Sequence, residues 1–181
     1  MRGHVQDQEL RELYQEVILD HHKYPRNFRE LPHATHRAEG FNPFCGDRVK
    51  VYLVLDGDRI REASFQGVGC AISTASASMM TDALKGQTRE EAEAMCARFV
   101  SLVKGEETDK DLDSEATEAG DLDALAGVRQ FPVRIKCALL AWATLAEALK
   151  TWHDGAGPPA ASGEHHGSFR EIATEHPDTK A

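Results

Sequence analysis

Apolar residues recur at intervals of three and four along the first part of the chain. Between Gln8 and His22 this spacing produces an amphipathic pattern that predicts a helix, with a stripe of Leu10, Leu13, Tyr14, Val17 and Ile18. Pro25 discourages continuation, so the helix is predicted to end just before it. His21 and His22 then lie in the last turn, where positive charge interacts favourably with the helix dipole.

The pattern next changes to a period of two, which indicates strands. The stretch 34–41 is a weakly signalled strand. A clear strand follows, in which Val49, Val51, Leu53 and Leu55 alternate with Lys50, Tyr52 and Val54. Asp56-Gly57 is a strong hairpin signal. The returning strand alternates again, with Ile60, Glu62, Ser64 and Gln66 on one side and Arg61, Ala63 and Phe65 on the other. We therefore expect an antiparallel hairpin or a three-stranded meander.

Three more helices are predicted after the hairpin. A run of small residues at 71–84 is long enough for a helix that packs closely on a neighbour, and Gly86 ends it. Thr88 and Glu91 form a capping box for the next helix, whose inner face is formed by Ala92, Met95, Phe99 and Val103. The last helix is expected from about Ile135 to Trp152, with an apolar stripe of Ala138, Leu139, Trp142, Leu145, Ala146 and Leu149.

Two segments depart from these periodic patterns. Residues 105–123 carry many acidic side chains against one cation, Lys110, and such a stretch is typically a solvated excursion. Residues 153–181 are predicted to be a flexible tail, in which His165, His166 and His176 could bind metal adventitiously. We expect one domain over residues 1–152, with an acidic insertion at 105–125.

Composition narrows the class of protein. The chain has 181 residues, of which 41% are hydrophobic and 28% charged, as is ordinary for one soluble domain. Its net charge of −9 argues against a general binder of nucleic acid or anionic membranes. No signal peptide or membrane span is evident, so a cytoplasmic location is expected. Thiols persist in that compartment, so the cysteines suggest metal ligands, catalytic groups or core packing rather than disulfides.

Three of the four cysteines lie at junctions between predicted elements. Cys45 precedes the first clear strand, Cys70 precedes the small-residue helix, and Cys137 lies at the head of the last helix. Neighbouring glycines allow close approach of the backbone to a ligand, and a helix N-terminus lowers a thiol pKa. On spacing alone, three unrelated buried cysteines is an equally good interpretation. Cys96, in mid-helix, is predicted to pack in the core.

A metal site needs a fourth ligand and a way to balance charge. Zinc prefers four tetrahedral ligands, and Asp47, two residues from Cys45, could join the three thiolates. The resulting centre would carry a net negative charge. Arg134 and Lys136 flank Cys137 and could compensate for that charge.

The sequences around these cysteines resemble the three motifs of the U-type iron–sulfur assembly proteins. The matching segments are Cys45-Gly-Asp47, Gly67-Val-Gly-Cys70-Ala-Ile-Ser73 and Arg134-Ile-Lys-Cys137, together with Ile18-Leu-Asp-His-His-Lys-Tyr-Pro-Arg-Asn27 near the N-terminus. The similarity covers about residues 8–152. It implies an α+β fold in which a small antiparallel sheet of about three strands packs against helices on one side.

Two departures favour one branch of that family. The IscU branch, the general cluster scaffold, has a His before its third Cys, where this chain has Lys136, and it lacks a long segment like 105–125. Both features resemble the SufU branch. That resemblance implies a zinc-dependent sulfurtransferase that activates a SufS-like, PLP-dependent cysteine desulfurase and passes sulfur on toward a SufBCD-like cluster scaffold. No nucleic-acid or membrane partner is expected.

The resemblance also assigns roles to residues. Cys45 corresponds to the sulfur acceptor, and Asp47, Cys70 and Cys137 are the other ligands of one zinc ion per chain. Arg134 corresponds to a family arginine that could hold the released thiolate or persulfide. Two alternatives remain open. One is a scaffold that builds a [2Fe–2S] cluster on the same cysteines, because thiolates also serve iron. The other is a structural zinc module that recruits a partner.

Overall fold

A computed structural model describes residues 2–106 and 120–150. Its elements follow one another as α1 (Arg2–Lys23), β1 (His36–Asn42), β2 (Asp47–Asp56), β3 (Arg59–Val68), α2 (Ala71–Leu84), α3 (Arg89–Lys104), a 3₁₀ helix (Gly120–Gln130) and α4 (Pro132–Lys150). The predicted tail at 153–181 and most of the acidic insertion lie outside the described residues. None of the described helices is long and apolar enough to cross a membrane.

The three strands form one antiparallel sheet in the order β1-β2-β3. Helix α4 packs against β1 and β2, and α2 packs against β3 and α4. The predicted α+β class with three strands is therefore confirmed. The opposite face is partly covered as well, because Tyr52 is buried against Leu31 and Ala34 from the loop before β1. The main core between sheet and helices includes Val51, Leu53, Phe65, Met80, Leu84, Phe99, Trp142 and Leu145.

A bulge in the β2–β3 hairpin overturns the predicted alternation of the returning strand. Val54 is paired with Glu62 but Leu55 with Ile60, so Arg61 is an extra residue in β3. One extra residue moves the following side chains to the opposite face. Ile60 therefore joins Ala63 and Phe65 in the core, rather than sharing a side with Glu62.

The helix boundaries refine the prediction. The capping box of α3 is present as expected, with Thr88 and Glu91 each accepting a backbone hydrogen bond from the other. Helix α4 begins at Pro132, not near Ile135, because proline has the right φ for the first helical position and needs no N–H partner there. Cys137 is consequently in the second turn rather than at the head of the helix.

His21 is buried, with 2% of its surface exposed, and it joins three elements. Its Nδ1 lies 2.8 Å from Ser78 Oγ in α2, and its Nε2 lies 2.9 Å from Asp121 Oδ2 in the 3₁₀ helix. Ser78 Oγ also accepts from the backbone N–H of Arg26 at 2.8 Å. Both ring nitrogens of His21 are thus held by side chains of other elements, Ser78 from α2 and Asp121 from the 3₁₀ helix. The role predicted from sequence for His21 was an interaction with the helix dipole. That prediction did not include these hydrogen bonds to α2 and the 3₁₀ helix.

Replacing His21 with Ala should lower the free energy of unfolding by about 1–3 kcal/mol, because Ser78 loses a buried partner and a cavity forms. His22, in the same last turn, is exposed, so His22→Ala should change it by less than about 0.5 kcal/mol. Urea unfolding followed by circular dichroism measures both. Equal effects would mean that the helix dipole, which both histidines share, accounts for the contribution of His21.

Candidate metal centre

Three segments of the chain meet at the predicted ligands. Cys45 lies in the turn at residues 43–46 between β1 and β2, and Asp47 is the first residue of β2. Cys70 is the N-cap of α2, and Cys137 points from the second turn of α4. The sheet, α2 and α4 each carry at least one predicted ligand, so the packing among them determines the geometry of the site.

The turn that carries Cys45 is organised by Asn42. Its backbone carbonyl accepts from Gly46 N–H at 2.8 Å, and its side-chain Oδ1 accepts from Phe44 N–H at 3.1 Å. Gly46 has a φ of 73°, a left-handed conformation that glycine adopts at no steric cost. The thiol of Cys45 is held at the exposed apex of this turn.

Asp47 is fixed by the start of α2. Its carboxylate is only 3% exposed. Oδ1 accepts from Cys70 N–H at 3.1 Å, and Oδ2 accepts from the Cys70 thiol at 3.7 Å. Cys70 Sγ in turn accepts from Ser73 N–H at 3.5 Å. Cys70 thereby caps the helix with sulfur while its backbone orients the carboxylate.

The ligand atoms of Cys45, Asp47 and Cys137 all lie within 4.8 Å of one another. The Sγ atoms of Cys45 and Cys137 are 3.5 Å apart, close to the roughly 3.8 Å expected of two thiolates on one tetrahedral zinc ion. Cys70 lies at the edge of this group, beside Asp47. Sequence reasoning named all four residues, and three thiols with one carboxylate fit a soft or borderline metal ion such as zinc.

The surroundings of the metal-free cluster raise the pKa values of two of its thiols, Cys45 and Cys137. Burial raises the pKa of Cys45, and a hydrogen bond with Asp47 adds to the effect. Burial also raises the pKa of Cys137, assisted by its hydrogen bond with Cys45. The lowered thiol pKa predicted from helix N-termini is wrong for Cys137, which is 1% exposed and lies beyond the free N–H groups of the first turn.

The two flanking cations occupy different positions. Arg134 is exposed and lies beside Cys70 and Cys137. The negative charge that Cys70 carries in its thiolate form and a hydrogen bond to Cys137 raise the pKa of the guanidinium. Lys136 instead places Nζ 3.9 Å from the centre of the Phe44 ring, a cation–π contact that braces the turn preceding Cys45. Arg134 is therefore the cation in direct contact with the sulfur cluster.

Cys96 lies apart from the site. It is half-buried in α3 and packs against the main core, with Sγ 4.0 Å from the Trp142 carbonyl oxygen. Burial raises its pKa to about 12. The prediction that Cys96 is a packing residue is confirmed.

Sequence reasoning missed two residues that shape the site. Asn42 carries the usual signal of a turn residue, since Asn commonly accepts a hydrogen bond from the backbone two residues on. The signal at Gly69 is harder to recognise from the sequence, because it depends on the space around the residue. A Cβ there would lie 3.0 Å from Ser73 Oγ and 3.2 Å from Asp47 Cγ. A side chain at this position would therefore displace the carboxylate or Ser73 by a few tenths of an ångström.

Comparison with known proteins identifies the family. The model of the NifU-like N-terminal domain matches residues 13–156, and this chain belongs to that family. It is 47% identical over 133 residues to the zinc-dependent sulfurtransferase SufU of Bacillus subtilis, covering 74% of this chain and 86% of the relative. It is 43% identical over 141 residues to the iron–sulfur cluster assembly scaffold protein IscU of Streptococcus pyogenes, covering 78% and 85%.

A solved structure agrees on the fold. The N-terminal part of a nitrogen-fixing NifU-like protein from Brucella abortus superposes with a TM-score of 0.70 at 21% identity, over 79% of this chain and 96% of that one. The resemblance to the U-type family inferred from the cysteine motifs is confirmed.

Gly69→Ala should weaken metal binding by about 10- to 100-fold, the range seen when residues that orient metal ligands are changed. The added methyl group would push on the Asp47 carboxylate. Gly127→Ala is the control, because a Cβ at that position meets nothing within 4 Å. Competition with a chromogenic zinc chelator measures both affinities. Equal affinity in Gly69→Ala and the parent would show that Asp47 does not depend on this packing.

Zinc uptake should release protons, because burial holds the pKa values of Cys45 and Cys137 above the ordinary thiol value. Zinc binds the thiolate form, so apparent affinity should rise with pH from 6 to 8, by up to about tenfold per pH unit for each proton displaced. Calorimetry in buffers of different ionisation enthalpy counts the protons. A pH-independent affinity would contradict protonated thiols in the metal-free site.

Proposed function

We propose that this chain binds one zinc ion through Cys45, Asp47, Cys70 and Cys137, accepts sulfur on Cys45 from the persulfide of a cysteine desulfurase, and passes it on for iron–sulfur cluster assembly. The observation that carries the proposal is a difference in exposure within one cluster. Cys45 is exposed, whereas Asp47 and Cys137 are 3% and 1% exposed. Cys70 is partly exposed. A partner can therefore reach Cys45 most readily, while Asp47 and Cys137 stay enclosed.

The chemistry required of Cys45 is an exchange between sulfur atoms. A thiolate, not a thiol, attacks a persulfide. Bound zinc would supply a means of keeping the ligand sulfurs, including that of Cys45, deprotonated at neutral pH. Cys45 sulfur attacks the terminal sulfur of the donor persulfide, the donor S–S bond breaks, and the donor cysteine leaves as a thiolate. Cys45 then carries the persulfide, and no external oxidant or reductant is consumed.

Arg134 has a role that follows from its position. It is an exposed cation beside Cys70 and Cys137, so it can hydrogen-bond a thiolate or a persulfide that forms next to these ligands. A guanidinium stays charged throughout the relevant pH range. We infer that it stabilises the negative sulfur during transfer.

The relatives support this function and one alternative. The Bacillus subtilis relative is named as a zinc-dependent sulfurtransferase, and Lys136 stands where the IscU branch has a His. The Streptococcus pyogenes relative is named as a cluster assembly scaffold, and the same thiolates could hold a [2Fe–2S] cluster. A purely structural zinc site is disfavoured, because it has no use for an exposed ligand. The desulfurase is expected to be SufS-like, and the recipient to be a SufBCD-like scaffold.

The test combines metal analysis with a desulfurase assay. The purified protein should contain one equivalent of zinc and should raise the rate at which a SufS-like desulfurase releases alanine from cysteine. Cys45→Ala should return that rate to the level of the desulfurase alone, because the acceptor sulfur is gone. Cys96→Ala, which removes a thiol from the core, is the matched control and should leave the stimulation intact.

Other outcomes point elsewhere. A red-brown protein with iron and labile sulfide, and without an effect on the desulfurase, would support the cluster scaffold. Full stimulation by Cys45→Ala would contradict Cys45 as the acceptor.

A further inference from the structure

Asn42 holds an amide donor that is buried and unused. The residue is 6% exposed. Its oxygen accepts from Phe44 N–H, which identifies Oδ1 and leaves Nδ2 as the other group. Within the described part of the chain, Nδ2 is buried and has no hydrogen-bond partner. A buried donor without a partner is rare in folded proteins and calls for an acceptor.

The fold places this donor beside the metal ligands. Asn42 lies directly opposite Asp47 in the β1–β2 ladder, so the two side chains share one face and their Cβ atoms are about 5 Å apart. That face is the one against α4: a Cβ at Gly40 would collide with Thr144 and approach Leu140. Alternate residues of a strand point to the same side, so Asn42 faces α4 too.

The spacing of β1 and α4 indicates that Cys137 is the residue of α4 nearest to Asn42. Two residues along a strand advance about 6.6 Å, and one turn of helix advances about 5.4 Å. Gly40 lies against Leu140 and Thr144, so Asn42 lies about one turn away, on the side where Asp47 approaches Cys137. Cys137 is as buried as Asn42, whereas Cys45 is exposed. The enclosed sulfur is the better match for an enclosed donor.

We propose that the side-chain amide of Asn42 donates a hydrogen bond to the sulfur of Cys137 when the site holds its metal. This inference rests on the metal binding proposed above. A hydrogen bond to a ligand sulfur draws electron density from it and weakens it as a nucleophile. Cys137 would then be retained as a ligand, and sulfur transfer would be directed to Cys45. Asn42 is a positioning residue that acts through Cys137.

Nuclear magnetic resonance of the cadmium-loaded protein tests the bond directly. The chain contains two asparagines, Asn27 and Asn42, and Asn42→Asp assigns their side-chain amide signals by loss of one pair. Protein labelled with ¹⁵N is loaded with one equivalent of ¹¹³Cd, and uptake is checked by native mass spectrometry. We expect one Asn42 amide proton to move downfield and to show coupling to ¹¹³Cd through the sulfur. Asn27, bonded to Thr81 at 3.3 Å, is the internal control and should not move.

Each of two other outcomes contradicts one specific proposal. If cadmium binds and the Asn42 protons shift no more than those of Asn27, the hydrogen bond does not exist and only this inference fails. If the protein takes up neither cadmium nor zinc, the proposed metal site fails and this inference fails with it.

A second measurement distinguishes the role of the Asn42 Nδ2 donor from the role of the Asn42 oxygen in holding the turn. Asn42→Asp keeps an oxygen that can accept from Phe44 N–H but removes the donor, whereas Asn42→Ser keeps a hydroxyl that can accept and donate. We expect zinc to be lost to a chelator about tenfold faster from Asn42→Asp and Asn42→Ala, the low end for residues that orient metal ligands, and at nearly the parent rate from Asn42→Ser. Retention in Asn42→Asp equal to the parent would show that only the turn matters.

Discussion

The carboxylate of Asp47 links β2, the start of α2 and the cysteines Cys45 and Cys137, whose relative positions define the candidate site. It begins β2, accepts the backbone N–H of Cys70 at 3.1 Å, and lies within 4.8 Å of Cys45 and Cys137. A carboxylate at a helix N-terminus is favoured by the helix dipole and by the free N–H groups there. The same side chain thus completes the start of α2 and contributes to the ligand group. The absence of a side chain at Gly69 leaves room for both tasks.

The rigidity behind the site comes from the packing of α2 against α4. Ser76 donates to the Ala138 carbonyl oxygen at 2.6 Å and accepts from Trp142 Nε1–H at 3.1 Å. The Trp142 ring stacks on Phe99 at a centroid distance of 4.4 Å. These contacts fix the helix that carries Cys137 relative to the helix capped by Cys70.

Local signals predicted much of the fold. The Asp56-Gly57 turn, the Thr88–Glu91 capping box and the apolar stripe of α4 each depend on residues near in sequence. The hairpin and the capping box are confirmed. Most of the predicted α4 stripe is buried as well, whereas Leu139 and Ala146 are partly exposed. The bulge at Arg61 could not be predicted, because it depends on how β3 pairs with β2. The buried network of His21 depends on Asp121, one hundred positions away, and no local pattern distinguishes His21 from the exposed His22.

The candidate site was predictable for a different reason. Its four predicted ligands are scattered over 92 positions, and spacing alone left the three cysteines among them indistinguishable from unrelated buried cysteines. The resemblance of the surrounding motifs to those of a known family indicated that these residues form one site. What motifs could not supply was the environment of each residue: burial raises the pKa of Cys137, and within the described part of the chain the buried side-chain amide of Asn42 has no hydrogen-bond partner. These properties arise from the packing of β1 on α4, which is a long-range contact.

The turn between Asn42 and Asp47 has a further consequence for how this protein tolerates change. Hairpin loops are usually the places where insertions are accepted, because the strands on either side can keep their pairing. Here an added residue could leave the β1–β2 ladder intact and still carry the Cys45 thiol away from its neighbours. The length of the loop therefore sets the position of the Cys45 thiol, in addition to joining the two strands. Chimeras that exchange this hairpin between relatives should match its length first and its composition second.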